Sequence, residues 1–338
     1  MKKLTSIIFI AAVAAFMQSC AATKVIPMRQ DPLIGKIIHT ETRQQVNFSN
    51  LIDRIAPYDV IYLSEKHDNP DHHKFQEQVI QALIEKDIKP VLGFEFFAMN
   101  DTPDILNFID SSNVPHTKNS EQVIEQDLRK KLRWDTQSDK MWKFYFDLLS
   151  IAHKEKLYAA GIDLSSTLKR RITRKGIDGI TPVEKEEVFS TGLQDEDYKN
   201  HMMETFKAVH CGMGHGRMQE RLYATWVARN DKMAQSITRL AAHSNEPVVV
   251  IIGGGHTEYG LGVIDRVSAI NPALSQVNIA LKEIYVKEAS LSEYLEPLTI
   301  GETTYPNPAD FIRFSQRVSY EDPCVKFREQ LKKMKSRP

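Results

Sequence analysis

Four short apolar runs recur along the chain, and each is preceded by a helical pattern. They are DVIYLSE (59–65), KPVLGFEFF (89–97), KLYAAGIDL (156–164) and EPVVVIIGGGH (246–256). Runs this short and this dense in apolar residues read as strands buried on both faces. Phe75, Val79, Ile80, Leu83 and Ile84 form the stripe of one intervening helix. Strands alternating with helices predict an α/β fold, a mostly parallel central sheet with flanking helices. Residues 100–155 and 165–245 are mainly helical and longer than simple crossovers, so a helical cap over one end of the sheet is expected. Residues 35–57 read as a strand, a turn and a short helix capped by Asn47 or Ser49. The folded domain is expected over 35–270, with charge-rich 165–200 as an insertion. Residues 271–338 extend it, beginning with a strand in QVNIALKEIYV.

Each core run finishes in polar groups: Glu65 and then His67, Glu95, Asp163, and His256. In open parallel sheets ligands bind beyond the carboxyl ends of the strands. Residues this far apart in sequence are therefore expected to face one cleft, with Glu65, His67, Glu95 and His256 converging there. Any one of them alone could simply end a strand; a shared coincidence is harder to sustain. Charge argues for a site rather than a field. Lys+Arg and Asp+Glu stand at 44 each, with no basic stripe, which disfavours nucleic acid as a partner.

The stretch IYLSEKHDNPDHHKFQ (61–76) concentrates this chemistry. Asn69-Pro70 reads as an N-cap followed by the first helical position. At 100° per residue His72 and Gln76 fall within the apolar stripe and His73 at its edge, so His72 should point inward. A buried imidazole there needs hydrogen-bond partners. At the far end of the cleft, GGGHTEYGLGV (253–263) lets backbone approach a ligand closely. It is not a phosphate fingerprint, because that motif follows the first strand and opens a helix. HMMETFKAVHCGMGHGRM (201–218) gathers soft ligands that suit Cu(I) or haem iron. Met and Cys also simply fill helix contacts, and that reading is preferred.

The N-terminus has its own logic. Met1-Lys2-Lys3 precedes an apolar Leu4–Phe16 of secretory length, followed by MQSC ending in Cys20. This resembles a bacterial lipobox, although Met17 and Gln18 replace the usual residues. The expectation is a signal peptide over 1–20, acylation of Cys20 by palmitate-type chains, and a tether over 21–34. Ala21 and Ala22, with no Asp after the cysteine, favour an outer-membrane lipoprotein. No other stretch is long and apolar enough to cross a bilayer. Cys211 and Cys324 remain; an exported chain can oxidise such a pair, but nothing in their spacing places them together.

At these residues the chain resembles the ChaN-type haem-binding uptake lipoproteins of the Tiki/TraB/erythromycin-esterase superfamily. Ser64-Glu65-Lys66-His67-Asp68-Asn69-Pro70-Asp71-His72-His73-Lys74-Phe75-Gln76 matches the family's first motif at all but its leading glycine. Gly93-Phe94-Glu95-Phe96-Phe97 resembles the second, and Gly253 to His256 with Gly260 to Val263 the last. YATWVARNDKMAQSI (223–237) is similar to the family's helix ending in Asp-x-Met-Ala. The likeness covers residues 35–270; Asp163, where such chains tend to carry Asn, is a departure.

The resemblance implies a surface lipoprotein that binds haem for iron acquisition, as a homodimer enclosing two stacked haems. It implies a tyrosine on each iron, and Tyr259 and Tyr145 are the candidates. His67, His72, His73 and His256 are the candidate histidines on the cofactor. The alternative is a metal-dependent hydrolase resembling the Tiki and erythromycin-esterase relatives. His67, His256, Glu65 and Glu95 would then supply a divalent-metal site, with Glu65 or Glu95 as catalytic base. Enzymatic activity is left open. A purely structural or adhesive role would leave the cleft residues unexplained.

Overall fold

The computed structural model describes residues 29–111, 118–193, 195–212, 216–322, 324 and 325. A hairpin, β1 (Ile37–His39) and β2 (Gln44–Val46), leads into α1 (Phe48–Ile55), β3 (Val60–Glu65), α2 (Pro70–Ile84) and β4 (Val91–Ala98). Three helices follow, α3 (Thr102–Asp110), α4 (Lys118–Lys131) and α5 (Asp139–Glu155), and then β5 (Ala159–Asp163). Next come α6 (Ser166–Lys175), α7 (Pro182–Glu187), α8 (Glu196–Val209), α9 (Arg217–Ala242) and β6 (Val248–Gly253). The chain continues through α10 (Ile264–Ile270), β7 (Gln276–Glu283), α11 (Leu291–Tyr294), the hairpin β8 (Leu298–Ile300) and β9 (Thr303–Tyr305), and β10 (Phe311–Ser315).

Eight strands form one sheet in the order β2-β1-β10-β7-β3-β6-β4-β5. From β10 to β5 every neighbouring pair is parallel; β1 pairs antiparallel with β10 and with β2. β3, β4 and β6 are mostly apolar up to their carboxyl ends because both faces are covered, whereas β7 and β10 also carry Asn278, Lys282 and Arg313. On one face Ile61, Leu63, Leu92, Phe94, Val249 and Ile251 pack on the α2 stripe of Phe75, Val79, Ile80 and Leu83 and on α5. On the other, Val60, Tyr62, Val248, Val250 and Ile252 meet Met233, Ala234 and Ile237 of α9. The two long helical stretches therefore cover opposite faces, and α5 and α9 both reach the carboxyl ends of the strands. The expected single strand near residue 37 is a hairpin, because Arg43 takes a left-handed φ of 56° that turns the chain back. Asn47 is the α1 cap, accepting from the Asn50 amide. Among the described residues no helix is long and apolar enough to cross a membrane.

One irregularity bears on the site. Along β4 and β5, Phe94 pairs with Gly161, whereas Ala98 pairs with Asp163. Two extra residues of β4 are thus bulged out over Gly161, and Glu95 opens the bulge. Bulges re-aim side chains beside sites, and this one is possible because position 161 has no Cβ. A methyl there would lie 2.1 Å from the Ala98 carbonyl oxygen.

Candidate functional site

The ends of β3, β4 and β6 open on a cleft of about 640 Å³, within the usual range for ligand sites. Glu65, His67, Glu95 and His256 all line it, as do Trp226 and Arg229 of α9. β7, the chain just after it and the chain beyond β10 supply a further wall, with Lys282, Tyr285 and Arg317.

Glu65 is a buried hub. Its Oε1 accepts from the Tyr145 hydroxyl at 2.5 Å and lies 3.0 Å from His67 Nδ1. Its Oε2 accepts from Gln76 Nε2 at 2.7 Å, and His73 Nδ1 lies 3.3 Å away. His67 is the outward member, its side chain 41% exposed. Burial opposes its protonation, but the Glu65 hydrogen bond and the Glu95 charge outweigh that and raise its pKa. Gly253 makes room for this ring, since a Cβ there would lie 2.6 Å from His67 Cε1.

Glu95 is the second hub. It accepts from Arg229 at 2.5 Å and from the Gly253 amide at 2.6 Å, with His256 Nε2 at 3.3 Å. Arg229 Nε also donates to Asp163 at 2.9 Å, and Lys169 joins that carboxylate at 2.6 Å. Burial alone would raise the Glu95 carboxyl, but the facing His256 and Arg229 outweigh it and hold it well below the usual range. The permanently charged guanidinium makes Glu95 the ionised partner, while burial keeps the His256 imidazole below its ordinary pKa. Trp226 stacks on His256 at 4.1 Å, and Asn230 meets His256 Nδ1 at 2.5 Å.

The histidine-rich motif divides into two roles. His72 points inward as expected and is fully buried. It does not reach the cleft: Nδ1 accepts from the Lys66 amide at 2.9 Å and Nε2 donates to Ser315 at 2.7 Å. His73, also buried, donates from Nε2 to the His67 carbonyl at 2.9 Å. Asn69 caps α2 and donates to Glu283, Ser315 and the Gln316 carbonyl. These side chains staple the 66–69 turn to the helix and to β10. Both rings are buried and neither lines the cleft, so the hydrogen bonds they make hold the local fold. Ser64, at the position of the missing glycine, bonds Thr257 and Asn278, each at 2.6 Å.

Burial and Arg313 push the His72 pKa down to about 3. Between about pH 6.5 and that value the unfolded chain binds a proton that the native state refuses. Stability should therefore fall with falling pH, by up to about 1.4 kcal/mol per pH unit from this group. Urea unfolding of wild type and His72→Gln at pH 7.5 and 5.0 checks this. Wild type should lose about 2 kcal/mol more than the variant across that interval; equal losses would refute it.

Neither tyrosine candidate lines the cleft. Tyr145 is fully buried with its hydroxyl committed to Glu65, and burial with the Glu65 charge raises its pKa well above the usual value. Tyr259 lies outside this cleft, lining a neighbouring one of about 410 Å³, and donates to the Glu296 carbonyl at 2.9 Å. Tyr285, 37% exposed, is the tyrosine that lines the main cleft. The metal-dependent hydrolase reading is not favoured. Among the described residues no three His, Cys, Asp or Glu side chains are grouped to hold a metal. Glu65 is engaged by Tyr145 and Gln76, and Glu95 by Arg229. The soft cluster at 201–218 is not a metal centre through its thiol, because Cys211 is bonded to Cys324 in a disulfide with Cα atoms 5.5 Å apart. Met213, His215, Cys20, the signal-peptide segment and residues 21–28 of the tether lie outside the described residues.

Arg229 and Tyr285 were not singled out in the sequence. A signal for Arg229 existed: it and Asn230 lie four residues before Met233 and Ala234, on the buried side of α9. Tyr285 carried no comparable signal, since its place in the cleft depends on β7 pairing with β3.

Three comparisons bear on this geometry. Residues 51–267 match the family model described as haem-binding uptake, Tiki superfamily, ChaN. The fold is similar to that of ChaN of Campylobacter jejuni, a structure described as showing cofacial heme binding. The TM-score is 0.58 at 18% identity, covering 85% of this chain and 98% of that one. Weaker likenesses include the type III effector HopBA1 (TM-score 0.43, 12% identity, 87% and 98% covered) and a mutant of the erythromycin esterase EreC in its open conformation (0.41, 11%, 73% and 76%). No match was found among curated proteins.

Proposed function

Because the chain belongs to the ChaN family of haem-binding uptake proteins in the Tiki superfamily, we propose that its strand-end cleft holds haem for iron acquisition. The family match over 51–267, which contains Glu65, His67, Glu95, Arg229 and His256, is the observation that carries this. The donor set fits the group. Trp226 and Tyr285 offer flat apolar surface, and Lys66, Lys282 and Arg317 line the cleft as cations for propionates. Glu283 organises two of these cations, lying 3.2 Å from Lys66 and 3.7 Å from Arg317. When bound, haem supplies a ferric centre that takes an oxygen ligand. Tyr285 is the residue proposed to provide it. His67, whose raised pKa favours imidazolium, suits a carboxylate instead.

Titration with haemin, followed at the Soret band, tests the reading. Saturable binding at fixed stoichiometry is expected. Tyr285→Phe should shift the band and weaken binding at least about tenfold, the factor that ~1.4 kcal/mol represents. His67→Ala should weaken binding without moving the band. Only nonspecific absorbance would sink the proposal. The homodimer is proposed around the same face, where Tyr285 and Val286 are exposed, and the mass of the haem-loaded species checks it. The proposed setting is the outer membrane, reached through acylation of Cys20. Cys20→Ala should move the protein out of the membrane fraction; unchanged partitioning would remove the anchor.

A further inference from the structure

We propose that the Cys211–Cys324 disulfide is a redox clasp on the cleft, holding its walls together when oxidised and speeding release of the bound porphyrin when reduced. The inference rests on the haem reading above and adds regulation of the same site. The bond joins residues 113 apart in sequence and ties the turn after α8 to the segment after β10. Cys211 follows α8, whose Phe206 packs edge-on against Trp226 at 5.8 Å, and Trp226 stacks on the cleft residue His256. Cys324 follows the segment 317–322, a strap that starts at the cleft residue Arg317. Arg317 donates to the Ile284 carbonyl at 3.1 Å, next to Tyr285, and to the Ser319 carbonyl at 3.0 Å. The Val318 amide donates to Glu283 at 2.9 Å.

Other attachments of the strap lie on its own side. Glu321 bonds Ser319, Cys324 bonds Asp322, and the Tyr320 hydroxyl meets Arg29 and Gln316. Among the described residues no hydrogen bond or ion pair joins 318–322 to α8 or α9. The disulfide is thus a covalent link between the strap and the turn after α8, the helix that packs on Trp226. Both cysteines are half-buried, within reach of a thiol reagent.

The step balances with a dithiol as reductant. Its thiolate attacks one Sγ, the S–S bond breaks, and the other cysteine leaves as a thiolate that takes up a proton. The second thiol of the reductant then resolves the mixed disulfide. Two electrons pass to the protein, both cysteines end as thiols, and the dithiol leaves as a disulfide. An exported protein meets an oxidising compartment, so the closed form is the resting one.

The test uses zinc protoporphyrin, whose metal a dithiol does not reduce, on the full chain. Release is timed for the oxidised protein, for dithiol-treated protein with its new thiols counted, and for Cys211→Ser/Cys324→Ser. The last two should release alike, and at least about five times faster than the oxidised form, the lower end of ordinary coupling between sites. Equal release from all three, with the thiols shown to be free, overturns the clasp and leaves the bond purely structural. Should the double variant not fold, the dithiol-treated wild type decides by the same criterion. Should no form hold the porphyrin, the haem reading has failed, and hydrogen exchange at residues 281–286 decides the clasp alone. Lost protection on reduction supports it, and unchanged protection overturns it.

Discussion

Replacing Arg229 by Met is expected to lower the stability of the fold by about 3–5 kcal/mol. The guanidinium spans two carboxylates, Glu95 and Asp163, whose side chains are 4% and 0% exposed. Met keeps much of the apolar stem but leaves Glu95 with an amide and the His256 imidazole, and Asp163 with Lys169 and one backbone amide. Removing one partner of a buried pair costs more than removing both, because the remaining charge stays desolvated. The double variant Arg229→Met/Glu95→Gln should therefore be less destabilised than the two single losses summed. The pH dependence has a definite sign. The native Glu95 pKa is depressed, so its contribution is present above the unfolded carboxylate value of about 4.3 and is lost as pH falls through the native value. The gap between wild type and Arg229→Met should narrow in acid. Denaturant midpoints at neutral pH and near pH 3, clearly below the unfolded carboxylate value of about 4.3, measure this; a loss at neutral pH below about 1 kcal/mol, typical of exposed pairs, would mean that solvent screens the bridge.

Gly161→Ala should cost about 3 kcal/mol, at the upper end of overpacking penalties. The new methyl would meet Ala98 O at 2.1 Å, Ala98 C at 2.6 Å and Phe97 C at 2.7 Å, all of them backbone atoms of the β4 bulge. No rotamer change relieves such contacts, so the bulge itself must move. Glu95, which opens the bulge, would then lose its registry with the Gly253 amide and Arg229. Gly93→Ala is the control on the same strand. Its methyl would meet the side chains of Ile162 at 3.2 Å and Leu240 at 3.7 Å, which can give way, and it should cost under about 1 kcal/mol. Thermal unfolding of the two variants side by side checks the contrast. Equal losses would show that the bulge is pliable and does not set the position of Glu95.

The polar ends of the core runs were legible because a parallel strand has one carboxyl end and the loops there share one edge. Glu65, His67, Glu95 and His256 could therefore be placed in one cleft without knowing the strand order. The His72 orientation followed from helical period alone. What that period could not say was whether a buried imidazole serves a ligand or the fold. That turned on Ser315, which follows from the pairing of β10 with β7 and lies far along the chain.

The α/β alternation, the identity of the cleft's inner side chains and, through the long motif at 64–76, the family could all be read from residue order. They are written in local periodicity and in short spacings, which a chain expresses before it packs. Long-range packing was needed to show that Arg229 neutralises Glu95 and Asp163, that Tyr285 rather than Tyr145 or Tyr259 lines the cleft, and that Cys211 meets Cys324. Each of these depends on contacts between segments far apart in the chain, which no local spacing encodes and which burial, strand order and the β4 bulge together settle.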